Sequence, residues 1–378
     1  MKNKYYRLTC LLLILLLVFS LNGCSNIRTM LKNAIMAGIP EPEKRPLVFD
    51  KPGILLGQDL FSKQTFFYNK LLGSVTDIQE GNFVAGSDSV LAVSCRNGAD
   101  FIDKKVQVVK TIRFNQRADH VDLIKLNQNG DFGFLNRGSW GIDPSWINSE
   151  GKTLWKYSVE QGIDDMCAGD LNKDGKLEFV VGCNGDGGVH LLDSNGKKIW
   201  KKEDGNVWHV EIADIDGKGT LGIVHSNAGG EITVRDLSGK ILKQKQPGPY
   251  FSDFTLCSWP TLIDRKFPIL AEDDQIWLFD FDGSILTKMP APDSGSQGNA
   301  YGTPFVYSKD GKNGLAVLVN LTMWNQAILY VYDSTNQLIF REIINDNCES
   351  IATIKDLKSG KDVILVGSFG KIWSYTQK

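Results

Sequence analysis

The chain has 378 residues, with 42 Lys and Arg against 44 Asp and Glu, a formal net charge of −2 and 42% hydrophobic residues. That balance excludes collagen-like, low-complexity and largely disordered classes. No basic excess marks a phosphate-tracking surface, so nucleic acid is not an expected partner, and the length allows two or three ordinary domains or one large closed β-architecture.

The first segment is an address. Lys2, Lys4 and Arg7 precede an apolar core from Leu8 to Phe19, too short to span a bilayer comfortably. Leu21-Asn22-Gly23-Cys24 follows and resembles a bacterial lipobox. The resemblance implies removal of a lipoprotein signal peptide, residues 1–23, and acylation of Cys24 with palmitate-type chains, each buried CH₂ contributing about 0.8 kcal/mol of anchoring. An ordinary cleaved signal and an uncleaved anchor are the alternatives. Cleavage leaves 39 basic against 44 acidic residues. With Ser25 after the Cys, the same resemblance implies the outer membrane rather than inner-membrane retention if the host has two membranes. No later run of 18 apolar residues exists, so the expected location is the cell envelope, with attachment through the lipid. Residues 24–46, with Pro40, Pro42 and Pro46, read as lipidated N-terminus and tether, with a short helix at most over 26–37. Residues 47–378 read as one domain.

Of the seven cysteines, Cys95, Cys167, Cys183, Cys257 and Cys348 remain after Cys10 and Cys24. They show no CxxC and no metal spacing, and read as small buried strand residues; one Cys167–Cys183 bridge is the alternative.

From about residue 74 the chain repeats with a period of about 45, the sign of a propeller or solenoid. Residues 162–203 and 205–246 are the clearest units. Each gives an apolar strand, an Asp-rich turn, an apolar strand, a Gly-rich turn, a strand ending in Asp, a Ser-Gly-type turn, and a last Lys-rich strand. Four short strands with turn chemistry between them make one antiparallel sheet. Worn copies occupy 74–113, 118–158, 250–289, 299–343 and 347–378. The last copy stops after its third strand, and residues 53–70 hold apolar runs with no repeat of their own. The expected fold is an all-β, seven-bladed β-propeller, with six or eight blades as the alternatives. One of those N-terminal runs completes the last blade, which removes two open sheet edges.

The loop Asp170-Leu-Asn172-Lys-Asp174-Gly175-Lys176-Leu-Glu178 resembles the calcium loop of FG-GAP or VCBS-type repeats, as in the integrin α N-terminal propeller. A hard cation takes oxygen ligands, and side chains one, three and five of a tight loop converge. The resemblance implies one calcium site formed by Asp170, Asn172, Asp174, the Lys176 carbonyl and Glu178. The alternative is a turn held by Asx side chains. The aligned loop of the next unit has Lys218 and Gly222 in place of two ligands, so no metal is expected there. Asp193-to-Trp200 and Asn148-to-Trp155 resemble the repeat endings of pyrroloquinoline-quinone-type propellers, in which a Trp docks between blades. Leu242, Leu286 and Phe340 align with that Trp elsewhere.

No catalytic constellation is visible. His120, His190, His209 and His225 lack metal-spaced partners, and no nucleophile elbow, Walker loop or dinucleotide fingerprint occurs. Alignment of the units places Asp119, Asp164, Trp208, Asp253 and Tyr301 near the starts of the innermost strands, with Glu349 close by. Such starts surround the channel mouth, and this candidate ring suits a cation, a basic peptide or a sugar; solvated strand ends are the plainer reading. The expected function is non-enzymatic binding of a protein or glycan ligand at the envelope. A scaffold subunit of an outer-membrane assembly complex is the alternative, and a quinone-dependent dehydrogenase or polysaccharide-active enzyme a more distant one.

Overall fold

The computed structural model describes residues 55–378, apart from 70, 72, 85–88, 127–130, 139–141, 228, 247–253, 260–261, 296–298 and 357–358. The signal peptide, Cys24, the tether with its short helix, and Asp253 lie outside the described residues. Strand β1 (Phe61–Tyr68) comes first and belongs to the last blade. Blade one is β2–β5 (Val75–Glu80, Ser89–Cys95, Gly98–Asp103, Val108–Arg113). Blade two is β6–β9 (Val121–Lys125, Phe132–Asn136, Ser145–Asn148, Thr153–Lys156). Blade three is β10–β13 (Ile163–Gly169, Glu178–Cys183, Gly188–Leu192, Lys198–Lys202), and blade four β14–β17 (Val207–Asp214, Leu221–Asn227, Ile232–Arg235, Ile241–Lys245). Blade five is β18–β21 (Thr255–Trp259, Leu262–Glu272, Gln275–Phe279, Ile285–Pro290). Blade six is β22–β25 (Ala300–Val306, Asn313–Leu321, Gln326–Tyr332, Leu338–Ile344). Blade seven is β26–β28 (Ser350–Lys355, Asp362–Ser368, Lys371–Gln377) with β1 as its outer strand.

Every blade is a four-stranded antiparallel sheet, and the protein is a seven-bladed β-propeller. The N-terminal strand closes it as the truncated last repeat required: β1 runs antiparallel to β28 from Phe61↔Gln377 to Tyr68↔Lys371. No α-helix occurs among the described residues.

Seven buried apolar clusters hold the ring, one between each pair of neighbouring blades. Phe101 and Phe134 meet between blades one and two, Leu135 and Phe179 between two and three, and Val180 and Val210 between three and four. Val234 and Phe279 fill the next gap, then Ile269 and Val317, Leu318 and Ile364, and finally Leu365 and Val93. Both faces of a blade are therefore buried. That is why central strands such as β11, buried at every position, read as continuous apolar runs rather than alternating ones.

The turn from third to fourth strand repeats in six blades. Asp193 is representative: its Oδ1 accepts the N–H groups of Asn195 and Lys197, an Asx turn, and Gly196 takes φ +77°. A Cβ on Gly196 would lie 2.6 Å from the Trp155 ring of the previous blade. Trp155 donates Nε1–H to Ser194 O (3.3 Å), and Trp200 donates to Leu237 O (2.9 Å). Both tryptophans dock on the neighbouring blade, as their resemblance implied.

The strand register corrects one alignment. Trp155 sits opposite Trp146 and Trp200 opposite Leu191, each one residue after the bulged position of its strand. In blades four and five that place belongs to Lys243 and Thr287, opposite Val234 and Leu278. Leu242 and Leu286 are the bulge residues themselves, whereas counting seven residues from Asp236 and Asp280, as from Asp193 to Trp200, reaches Lys243 and Thr287.

The five remaining cysteines are buried and free. Cys167 pairs opposite Val180 and Cys183 opposite Ile163, so the two are not cross-bridged.

Candidate functional site

In each meander the start of the inner strand and the turn between its second and third strands lie on one side of the ring. Arg96, in that turn of blade one, bridges Asp119 at the start of blade two (3.3 Å) and Glu349 at the start of blade seven (2.8 Å). Asn347 Nδ2–H also donates to Glu349 (2.9 Å). The structure thus brings Asp119 and Glu349 of the expected ring together, with a guanidinium between them. Asp164 accepts from Asn184 Nδ2 at 3.2 Å within its own blade. Trp208 is half-buried, and Tyr301 packs against the core between blades six and seven. The ring is accordingly a mouth of partly neutralised acids, and Asp253 is not among its described members.

Deeper in, a second ionic network occupies the axis. Arg137, just after β7, donates Nε–H to Asp165 Oδ1 (2.8 Å) and Nη2–H to Asp165 Oδ2 (3.0 Å). Its Nη2 also reaches Glu211 (3.2 Å), and Nη1 reaches Asp122 (3.4 Å). Blades two and four are not neighbours in the ring, so Arg137 spans the inner edge of blade three, at the wall of the central channel. His209 completes the group, with Nδ1 at 2.6 Å from Asp165 Oδ2 and Nε2 at 3.4 Å from Glu211. His120 Nε2 lies 3.3 Å from Asp122.

Burial alone would raise the Asp165 carboxyl, but Arg137 and His209 hold it well below the usual carboxylate range. Glu211 is likewise lowered, burial being outweighed by Arg137 and His209. Asp122 is lowered against burial by His120 and Arg137. Asp77 is the exception: burial and the Asp122 carboxylate push it up to about 6.

These groups also stitch inner strands together. Asp77 Oδ2 accepts Leu123 N–H of the next blade (2.9 Å), Asp165 Oδ2 accepts Val210 N–H (3.0 Å), and Ser350 Oγ donates to Val75 O (3.2 Å). Arg96, Arg137, Asp77, Asp122, Asp165 and Glu211 were not singled out from the sequence. The available signal was an ionisable residue inside an otherwise apolar inner strand, as in Val121-Asp122-Leu123 and Val210-Glu211-Ile212.

Asp77 makes stability depend on pH with a definite sign. Its folded pKa lies above the unfolded value of about 3.9, so the folded state holds the extra proton and loses stability as pH rises through that window. Asp77→Asn is expected to stabilise the protein by about 2 kcal/mol at pH 7.5 and to change little near pH 4. Denaturant melts of both proteins at both pH values check this; equal effects at the two would refute it.

The Asp-rich loop joins β10 to β11 on the opposite side of the ring from the mouth. Asp170 accepts the N–H groups of Asp174 (3.0 Å) and Gly175 (2.9 Å), and Asp174 accepts Lys176 N–H (2.8 Å). Glu178 turns inward to accept Leu171 N–H (2.9 Å) and Asn172 Nδ2–H (3.0 Å), and burial raises its pKa. The next blade's loop builds the same turns from Asp214 and Asp216 with Lys218 in the third position. Turn formation therefore explains the acid pattern by itself. Among the described residues no three His, Cys, Asp or Glu side chains converge as a metal centre.

No protein-family model matches the chain, and no curated protein matches it. Solved structures do. The chain is similar to BBS1N, crystallised in complex with ARL6DN, at a TM-score of 0.55 and 10% identity over 86% of this chain and 97% of that one. It is also similar to the WD40 β-propeller domain of Doa1, at a TM-score of 0.51 and 15% identity over 84% of this chain and 98% of that one. At such identities the likeness is one of fold.

Proposed function

We propose that the protein is a non-enzymatic, lipid-anchored propeller of the cell envelope that binds a protein partner on the face carrying the channel mouth. The observation behind this reading is an exposed apolar ridge on that face. Tyr68 ends β1, Leu71 follows at 74% exposure, and Phe369, in the β27–β28 turn, is 52% exposed. Backbone bonds from Asn69 N to Gly370 O (2.7 Å) and Gly370 N to Gly73 O (2.9 Å) hold the two segments side by side. The ridge leads inward to Ser74, whose carbonyl accepts Arg96 N–H (3.2 Å), and so to the Arg96–Asp119–Glu349 cluster. Apolar and aromatic anchors beside a polar, charged rim are the anatomy of a protein interface. The complex of BBS1N with ARL6DN is a precedent for a propeller of this shape engaging protein. A glycan stacking on the same aromatic side chains is the narrower version of the proposal.

The test is site-specific photo-crosslinking in cells from Leu71, with a rim position as control. A discrete adduct from Leu71 alone is expected, and Phe369→Asp should weaken it at least about tenfold, as removal of an interface anchor does. Equal labelling from both positions would overturn the reading. Cys24→Ser should release the protein from the membrane fraction; an unchanged distribution would remove the lipid anchor from the proposal.

The assembly-scaffold reading draws on the docked Trp155 and Trp200, and co-purification of a stable membrane complex would favour it. Calcium at Asp170–Glu178 is a proposal resting on the sequence pattern. An extracellular-type site, with a dissociation constant on the order of 10⁻⁴ M, would add about 1–2 kcal/mol at millimolar calcium. A thermal melt with calcium and with chelator reads this directly, and superimposable curves would discard the ion.

A further inference from the structure

The outer strands share a feature that the mouth does not explain. In blades one to six each carries a β-bulge at the same step after its turn. The residue displaced by the bulge is Val109, Leu154, Ile199, Leu242 or Leu286 in blades one to five, and Ile339 in blade six. The first five are 40–55% exposed. Ile339 is the covered one: its carbonyl lies against Gly57, and the preceding segment is bridged to blade six through Leu56 and Arg341.

Lysines flank the exposed five, most densely on the adjacent strands β13 and β17. Lys198 and Lys201 are exposed on β13, and Lys243 and Lys245 on β17, which is exposed at all five positions. The acids of the accompanying turns, Asp193 and Asp236, are engaged by backbone amides. In a chain with a net charge of −2, the two outer strands of this arc thus carry lysines and no acid of their own, the nearest acids being Glu203 just after β13 and Glu231, which accepts from Gln244 (2.6 Å). On the far arc the rim charge is balanced, as where Lys63 of β1 pairs with Glu342 of β25 (2.6 Å).

We propose that the rim of blades three and four docks edge-on against an anionic lipid surface, with Ile199 and Leu242 entering the headgroup boundary and the lysines pairing with lipid phosphates. Lysine on an edge strand ordinarily blocks strand addition, but that role calls for no exposed aliphatic beside it, and here one recurs at five of the six bulges. Protein interfaces are depleted in Lys and built on aromatic anchors. Lysines that extend past aliphatic neighbours toward a charged plane are instead the pattern of interfacial membrane binding. Each Lys near such a surface contributes about 1 kcal/mol, within a Debye length. The contact needs no lipid on Cys24 and stands apart from the partner surface on the mouth face.

Residues 24–378 with Cys24→Ser remove the acyl contribution from the test. The probe is co-sedimentation with vesicles of phosphatidylcholine alone and of phosphatidylcholine with 30% phosphatidylglycerol. Binding to the anionic vesicles only, lost in high salt, is expected. Reversal of Lys198, Lys201, Lys243 and Lys245 to Glu should weaken it by about 100-fold or more. Ile199→Ser with Leu242→Ser should weaken it about tenfold at unchanged charge. The serine pair keeps the test valid if the charge reversal harms folding, and a control in blade six, the exposed Lys309→Glu, should have little effect. Equal binding to both vesicle types, retention of binding by the charge-reversed or serine variants, or binding to heparin without binding to the anionic vesicles would each overturn the proposal.

Discussion

Replacement of Arg137 by Met is expected to destabilise the propeller by about 3–5 kcal/mol, the largest effect of any single substitution at the axis. Arg137 answers three carboxylates at once: Asp165 at 2.8 and 3.0 Å, Glu211 at 3.2 Å and Asp122 at 3.4 Å. Its removal leaves buried negative charge from blades two, three and four without its main counter-ion. His209 and His120 remain, and each would then have to hold a proton to compensate. The loss should accordingly be greater at pH 8 than at pH 5.5, which lies below the ordinary imidazole value of about 6.5. Arg137→Lys keeps the charge but not the fork on Asp165, and should recover only part of the loss. Urea melts of the three proteins at the two pH values measure this. A loss below about 1 kcal/mol would mean that water reaches the axis freely and screens the network.

Deletion of residues up to Asn69 is expected to abolish a cooperative monomeric melt. Phe61 alone is 4% exposed and packs edge-on to Phe340 (5.1 Å) and Phe305 (6.3 Å); losing such a side chain costs about 3–5 kcal/mol. The deletion also strips the Lys63–Glu342 pair and opens the whole edge of β28 to other chains. Since a domain has only about 5–15 kcal/mol in total, the sum exceeds what the ring can lose. A synthetic peptide spanning residues 55–69, added in trans, should restore the native circular dichroism spectrum. An unchanged melting temperature without β1 would show that three strands suffice for the last blade.

The architecture was legible because each blade repeats its own turn chemistry. The turn-opening aspartates Asp193, Asp236 and Asp280, each followed three residues later by a glycine whose N–H returns to the aspartate carbonyl, mark the spacing, and the missing fourth strand after Gln377 pointed to the chain's other end. What pairs across the ring was not legible. Arg96 and Arg137 stand in turns where the repeats diverge, and their partners come from other units; nothing local to Arg137 signals Glu211, which lies in a blade that is not its neighbour. The acid ring illustrates the same limit. Asp119 and Glu349 stand beside strand starts, but the guanidinium that joins them is that of Arg96, which comes from a turn and not from a strand start. The Trp alignment slipped by one in blades four and five because the apolar bulge residues Leu242 and Leu286 match a Trp in character better than Lys243 and Thr287, which keep its spacing from the turn Asp.

The closing strand has a mechanical consequence. Any pull delivered through the N-terminal segment meets the ring first at the clasp of Leu56 and Gln58 on the Arg341 backbone, and next at Phe61, the first rung of the β1–β28 ladder. A load directed away from the sheet at that point peels the ladder one rung at a time, whereas a load along the strand must shear all its rungs together. The same seam is thus weak in one direction and strong in the other. The direction of tension at residue 55 therefore decides whether the disc stays closed or opens at blade seven.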